Sequence, residues 1–147
     1  MGLNIEERRA VVSYRLEKAE RTLEQARYNL SSGFWELIAN RMYYAAYYAV
    51  SALLIADGYS AKTHETIVRF YGMYYIKTGI MATEYGRLYN KLFTLRLTGD
   101  YNDHYNLEES DVLPLFEPTE RMIKEISALT REILEKLDSQ EGNAPMV

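Results

Sequence analysis

The chain has 147 residues, 17 basic and 21 acidic side chains, a formal net charge of −4, and no cysteine. This length predicts one domain with a hydrophobic core. The lack of cysteine excludes disulfides and thiolate metal sites and fits a cytoplasmic location. The first twelve residues, MGLNIEERRAVV, carry charge where a secretory signal would be apolar.

The first predicted helix covers residues 5–31. Asn4 precedes it and Glu7 follows three places later, which is the spacing of a capping box. Apolar residues then recur at steps of four and three, as on one face of a bundle helix. They are Val12, Leu16, Ala19, Leu23, Ala26 and Leu30. Ser31-Ser32-Gly33 is expected to end this helix.

Residues 38–56 read IANRMYYAAYYAVSALLIA and are apolar on every side of a helix, with Arg41 as the only formal charge. Such a helix must be covered on most sides, either by its own chain or by a second copy. Its apolar run from Met42 to Ala56 is shorter than the ~20 residues needed to cross a bilayer, so we expect no membrane span. We predict a helix over residues 34–56, stopped by Asp57-Gly58.

Two shorter helices are predicted in the middle of the chain. The third runs from His64 to about Tyr75 with Thr63 as its cap, and Gly79 lies in the turn after it. The fourth covers about residues 83–97. Gly99 is expected to break it, and residues 100–106 are expected to form an exposed loop.

The last predicted helix begins between Ser110 and Pro118, since proline suits a first helical turn. Its apolar stripe consists of Met122, Ile126, Leu129, Ile133 and Leu137. Together the elements predict an all-α fold, an antiparallel up-and-down bundle of four to five helices. We predict a single domain over residues 1–138 and a disordered tail over 139–147.

Twelve of the fourteen tyrosines lie between Tyr43 and Tyr105. A helical core with hydroxyls at its edges explains this enrichment, and so does an aromatic interface or a base-stacking surface. Residues 61–107 hold six basic and four acidic side chains, so the middle of the chain can meet an anion although the whole chain is acidic.

Nucleotide-binding glycine loops and the H-E-x-x-H zinc motif are absent from the sequence. There are only two histidines, and the Glu-x-x-His spacing of di-iron bundles does not occur, so we expect neither a metal nor a cofactor. His64 next to Glu65 at a helix start is explained by capping and surface polarity.

The remaining polar cluster is RLTGDYNDHY, residues 96–105. Arginine binds phosphate bidentately and histidine is an acid or base near neutral pH, so Arg96 and His104 are the candidate catalytic pair for RNA cleavage without a metal. Asp100, Tyr101 and Tyr105 would orient them or bind RNA. The alternative, which the residue types alone favour, is a structural ion pair between Arg96 and Asp100, four residues apart on a helix.

The chain resembles the HEPN superfamily, and within it small proteins with an R-x-Y-Y-A helix. The resemblance lies in Arg41-Met42-Tyr43-Tyr44-Ala45, in Gly58 with Lys62-Thr63-His64, and in Arg96-x-x-x-Asp100-Tyr101. It extends over about residues 10–135. Arg41, Tyr44 and His64 are then expected to bind nucleotide or RNA, or to support the site.

The resemblance implies a helical bundle that forms a homodimer and a toxin-like role beside a minimal nucleotidyltransferase antitoxin. It also implies a metal-independent ribonuclease whose arginine and histidine are separated by four to six residues. Here seven residues separate Arg96 from His104. The alternatives are therefore a non-catalytic nucleotide-binding or protein-interaction module and a purely structural helical dimer.

Overall fold

The computed structural model describes residues 2–101 and 106–142, with side chains at 2–97 and 106–139. The described residues form helices and no strand, so the predicted all-α bundle is confirmed. The helices are α1 (Ile5–Tyr28), α2 (Trp35–Ala56), α3 (His64–Tyr71), α4 (Thr83–Tyr101), α5 (Glu109–Val112) and α6 (Phe116–Gly142).

Helix α2 is the centre of the bundle, because α1, α3, α4, α5 and α6 all pack against it. More than half of its residues are buried, including Met42, Tyr43 and Leu53. The chain's own helices therefore cover most of this apolar helix. None of the described helices combines the length and hydropathy that a transmembrane span requires.

Helix α1 starts as predicted. Asn4 Oδ1 accepts from the Glu7 backbone N–H at 2.7 Å, and Glu7 returns a bond to the Asn4 N–H at 3.4 Å. The predicted stripe from Val12 to Ala26 is buried. The helix ends at Tyr28 rather than at residue 31, because Asn29 caps it with a backbone N–H bond to Ala26 and a side-chain bond to the Gln25 carbonyl.

The α2 terminus and the α3 start also follow the prediction. Gly58 has φ +86°, a left-handed conformation that glycine adopts without strain, and its N–H bonds the Ile55 carbonyl. Thr63 Oγ1 accepts from the Thr66 N–H at 3.0 Å, so it caps α3. The predicted third helix divides in two, since a π-helical turn over Gly72–Ile76 follows α3.

Helix α4 continues to Tyr101, so the predictions of a break at Gly99 and of a loop from residue 100 are wrong. A glycine inside a helix costs only about 1 kcal/mol relative to alanine, and buried Leu92 and Leu95 hold the preceding turns against the core. Residues 102–105 lie outside the described part of the chain.

The short helix α5 and a 3₁₀ turn over Leu113–Leu115, which contains Pro114, precede the last helix. Pro118 stands in the first turn of α6, where a missing N–H costs nothing. Helix α6 continues to Gly142, past the predicted domain boundary at residue 138. Its Asp138 pairs with Arg9 of α1, which ties the two terminal helices together.

Candidate functional site

Five side chains from three helices meet on one side of α2, and we call them the His64 cluster. They are Tyr43, Tyr44 and Tyr47 of α2, His64 of α3 and Arg96 of α4. The three tyrosines share a face of α2 because residues three and four apart lie on one side of a helix. The packing of α3 and α4 on that face supplies the histidine and the arginine.

His64 is the first residue of α3 and is half-buried against α2. Its Nδ1 lies 2.6 Å from the hydroxyl of Tyr43, whose side chain is fully buried. The Tyr47 ring stacks on the imidazole with centroids 4.4 Å apart and 11° between the planes. These contacts fix the position and the plane of the imidazole. Capping and surface polarity therefore do not account for His64.

Arg96 places its guanidinium carbon 5.7 Å from the ring centres of both Tyr43 and Tyr44. Arg41 approaches the Tyr44 ring as well, at 5.6 Å. Tyr44 therefore contacts two guanidinium groups, from two different helices. Electron-rich ring faces stabilise such cations.

Arg41 is also held by hydrogen bonds. Its Nε and Nη2 donate to Asn40 Oδ1 at 3.1 and 2.8 Å, and its Nη1 donates to Gln25 Oε1 of α1 at 3.1 Å. The residue is half-buried rather than enclosed. It thus lies at the α1 edge of the cluster, with Arg96 at the α4 side.

The cluster disfavours charge on both partners of the Tyr43–His64 hydrogen bond. Burial lowers the pKa of His64, the positive charge of Arg96 lowers it further, and Glu65 opposes both. Burial raises the pKa of Tyr43 far above its usual range, partly offset by Arg96. At neutral pH the pair is therefore a neutral phenol against a neutral imidazole.

The structure brings together four residues of the predicted site: Arg41, Tyr44, His64 and Arg96. The predicted residues His104 and Tyr105 lie outside the described residues, and so do the side chains of Asp100 and Tyr101. The proposed Arg96–Asp100 ion pair is thus untested. Sequence reasoning did not select Tyr43 and Tyr47. The sequence did contain a signal for them, because a spacing of four residues places both tyrosines on the same face of an apolar helix.

The side chains of the His64 cluster are cationic, aromatic and hydrogen-bonding groups rather than carboxylates. Within the described ranges, no three His, Cys, Asp or Glu side chains lie close enough to hold a metal ion. What the His64 cluster offers is cationic and donor groups: a guanidinium fixed on two aromatic rings and an imidazole beside it. That set suits an oxyanion such as a phosphate.

The comparisons with known proteins agree with this architecture. The family model of the HEPN domain matches residues 12–140, nearly the whole described bundle. This chain belongs to the HEPN family. A UPF0332 protein of Thermotoga maritima is 32% identical over 127 residues, covering 86% of this chain and 96% of the relative.

Two further relatives of this HEPN chain come from Methanocaldococcus jannaschii. The protein named "Putative toxin MJ0605" is 28% identical over 119 residues, covering 81% of this chain and 88% of the relative. The protein named "Putative toxin MJ0142" is 28% identical over 96 residues, 65% of each chain. These names describe the relatives and supply a role to test in this chain.

Proposed function

We propose that this HEPN protein is a toxin-like endoribonuclease that cleaves RNA without a metal ion. The observation that carries the proposal is the placement of the Arg96 guanidinium against Tyr43 and Tyr44, next to His64. The names of the two archaeal relatives support the toxin-like role.

In this proposal Arg96 binds the scissile phosphate and stabilises the negative charge that develops when the 2′-hydroxyl attacks phosphorus. A guanidinium suits this task because it stays protonated and presents a rigid fork of donors. The contacts with the Tyr43 and Tyr44 rings restrict the position of the guanidinium before substrate arrives. His104 is the acid–base group that the family resemblance implies, and it lies outside the described residues.

The resemblance further implies a homodimer and a minimal nucleotidyltransferase as antitoxin, and we include both in the proposal. Light scattering on the purified protein measures the oligomeric state, and a monomer at micromolar concentration would contradict the proposed homodimer. Co-expression with the product of the neighbouring gene tests the second. Rescue of growth together with co-purification is expected, and neither effect would appear if the pairing were wrong.

The central experiment incubates purified protein with single-stranded RNA in EDTA and follows cleavage products. We expect cleavage by the wild type and a roughly hundred- to thousandfold loss of rate in Arg96→Ala, the effect of removing one donor to a developing oxyanion. Arg96→Lys retains the charge but loses the fork, so it should recover only part of the rate.

Arg21→Ala is the matched control, because Arg21 is an exposed arginine of α1 whose described partner is Glu17, at 3.5 Å. It should cleave like the wild type. Intact RNA at high protein concentration would reject the ribonuclease proposal. Equal rates for the Arg21 and Arg96 variants would reject the role of Arg96.

The second candidate is a non-catalytic nucleotide-binding or protein-interaction module. The observation that favours it is the spacing from Arg96 to His104, which exceeds that of the active family motif by one residue. It predicts stabilisation by a bound nucleotide, about 2.7 kcal/mol at a hundredfold excess over Kd, without RNA cleavage. Thermal unfolding with and without each nucleoside triphosphate measures this, and an unchanged Tm with all of them counts against nucleotide binding.

A further inference from the structure

The Tyr43–His64 hydrogen bond determines which nitrogen of the imidazole faces outward with a proton. Nδ1 is the ring atom that contacts Tyr43. Among the described residues Nε2 makes no hydrogen bond, and it is not one of their fully buried polar atoms. The described residues therefore do not completely bury the Nε2 edge of His64.

The direction of the bond follows from the acidity of its partners. A phenol is a stronger donor than a neutral imidazole N–H, and an imidazole nitrogen is a stronger acceptor than a phenol oxygen. The Tyr43 hydroxyl therefore donates and Nδ1 accepts, which leaves the ring proton on Nε2. A neutral His64 thus presents an N–H donor to solvent.

Arg96 makes this donor useful for an anion. The guanidinium is close enough to His64 for its charge to act on the imidazole, and both groups contact Tyr43. Two donors of this kind, one charged and one neutral, bind two oxygens of one phosphate. The neutral imidazole suits the position next to Arg96, since a second full cation there would be repelled.

We propose that His64 is a substrate-binding residue whose Nε2–H donates to a phosphate oxygen of RNA, beside Arg96. The proposal rests on the proposed function for its choice of RNA. It assigns His64 the stabilisation of negative charge and no proton transfer, because Nε2 already carries a proton and a neutral imidazole does not release it near neutral pH. Tyr43 is then a positioning residue that selects the tautomer.

The test separates the two ring positions by substitution. In His64→Gln the side-chain amide replaces the Nε2 donor, whereas in His64→Asn the amide replaces Nδ1 and the outer donor is lost. The probe is a 2′-O-methyl oligoribonucleotide of mixed sequence, which binds but cannot be cleaved at the 2′ position. Its affinity is measured by fluorescence anisotropy, and folding of each variant by circular dichroism.

We expect His64→Asn to bind the probe roughly ten- to a hundredfold more weakly than the wild type, the value of one hydrogen bond to a charged group. His64→Gln should retain most of the affinity. Equal affinity of His64→Asn and wild type, with both folded, would overturn the proposal. So would a wild type that does not bind the probe.

The tautomer is measured directly by ¹⁵N NMR of the imidazole in a His104→Gln background, where His64 is the only histidine. We expect the proton on Nε2 at neutral pH, a mixture of tautomers in Tyr43→Phe, and a rise in the His64 pKa when the probe binds, because the phosphate adds negative charge. Among the residues with described side chains, the groups that face His64 are Tyr43, Tyr44, Tyr47, Arg96 and Glu65. A proton on Nδ1, or an unchanged pKa in the complex, would reject the assignment.

These outcomes are distinguishable from failure of the ribonuclease proposal. A wild type that binds the probe through His64 but leaves RNA intact keeps this inference and rejects catalysis. A wild type that cleaves RNA at the same rate as His64→Asn, with equal probe affinity, keeps catalysis and rejects this inference.

Discussion

At the scale of the residue, the imidazole of His64 is held by a hydrogen bond to Tyr43 and by ring contacts with Tyr43, Tyr44 and Tyr47. Burial and the charge of Arg96 both disfavour its protonated form, so its pKa lies below the ordinary value of about 6.5. As the pH falls, His64 therefore takes up its proton at a lower pH in the folded protein than in the unfolded chain.

This lowered pKa gives a pH dependence of stability with a definite sign. Below pH ~6.5 the unfolded chain binds a proton at His64 that the folded protein does not, so unfolding is favoured as the pH falls. The contribution is complete above the unfolded pKa and is lost as the pH falls through the folded pKa.

We expect the stability advantage of His104→Gln over the His64→Gln/His104→Gln double variant to shrink as the pH falls from 7.5 toward 5. The double variant has no histidine, so the carboxylates common to both proteins cancel in the difference. Urea unfolding at several pH values measures it. A difference that stays constant, or that grows toward acid pH, would show that the folded pKa of His64 is not lowered.

At the scale of the element, the junction of the π-helical turn with α4 is the tightest glycine position in the described chain. A Cβ on Gly86 of α4 would lie 3.1 and 3.2 Å from two side-chain carbons of Ile76. Gly86 thus lets the end of the π turn approach α4 closely. An alanine at position 86 gains about 1 kcal/mol of helix propensity. Its methyl group would crowd the Ile76 side chain, and this overpacking opposes the gain.

We therefore expect Gly86→Ala to yield no stabilisation in the wild type, and to yield about 1 kcal/mol in an Ile76→Ala background where the contact is gone. Gly72→Ala is the control, since Gly72 has φ −60° and nothing within 4 Å of its added Cβ. Chemical denaturation of the four proteins of the cycle measures the coupling. Additive effects of Gly86→Ala and Ile76→Ala would contradict the close approach.

At the scale of the whole molecule, the core is packed with buried tyrosine side chains that are neutral. Tyr43, Tyr71, Tyr75 and Tyr89 are each almost completely buried, and burial raises the pKa of all four above the usual value of 10. The hydrogen bond from Tyr75 to Asp57 raises the pKa of Tyr75 further. The carboxylate accepts a hydrogen bond from the neutral phenol but repels a phenolate.

The raised pKa values make alkaline pH destabilising. The unfolded chain loses phenol protons near pH 10, whereas the folded core keeps them, so the stabilisation is complete below that value and is lost as the pH rises through the folded pKa values. We expect the buried tyrosines to ionise only as the protein unfolds.

Simultaneous measurement of tyrosinate absorbance and helical circular dichroism tests this expectation. We expect the absorbance of the buried tyrosinates to appear only in a phase that coincides with loss of helicity. Complete ionisation before any helix is lost would show that the core phenols are accessible to base.

Local patterns in the sequence determined the helices and much of their ends. The capping box at Asn4, the stripe of α1 and the stop at Gly58 depend on residues within four or five positions of each other, and all were predicted. The enclosure of α2 followed from its composition alone. Gly99 was misjudged because one glycine costs little once the helix on either side is held by its surroundings.

The tertiary structure alone decided which side chains share the candidate site. His64 meets Tyr43 across 21 positions of sequence, and Arg96 meets Tyr44 from a third helix. Helical periodicity assigns a residue to a face but does not set the rotation and offset of one helix against another, which depend on packing of the whole core. Sequence patterns therefore indicated Arg96, His64 and Tyr44 as separate candidates, and only helix packing placed them together around Tyr43.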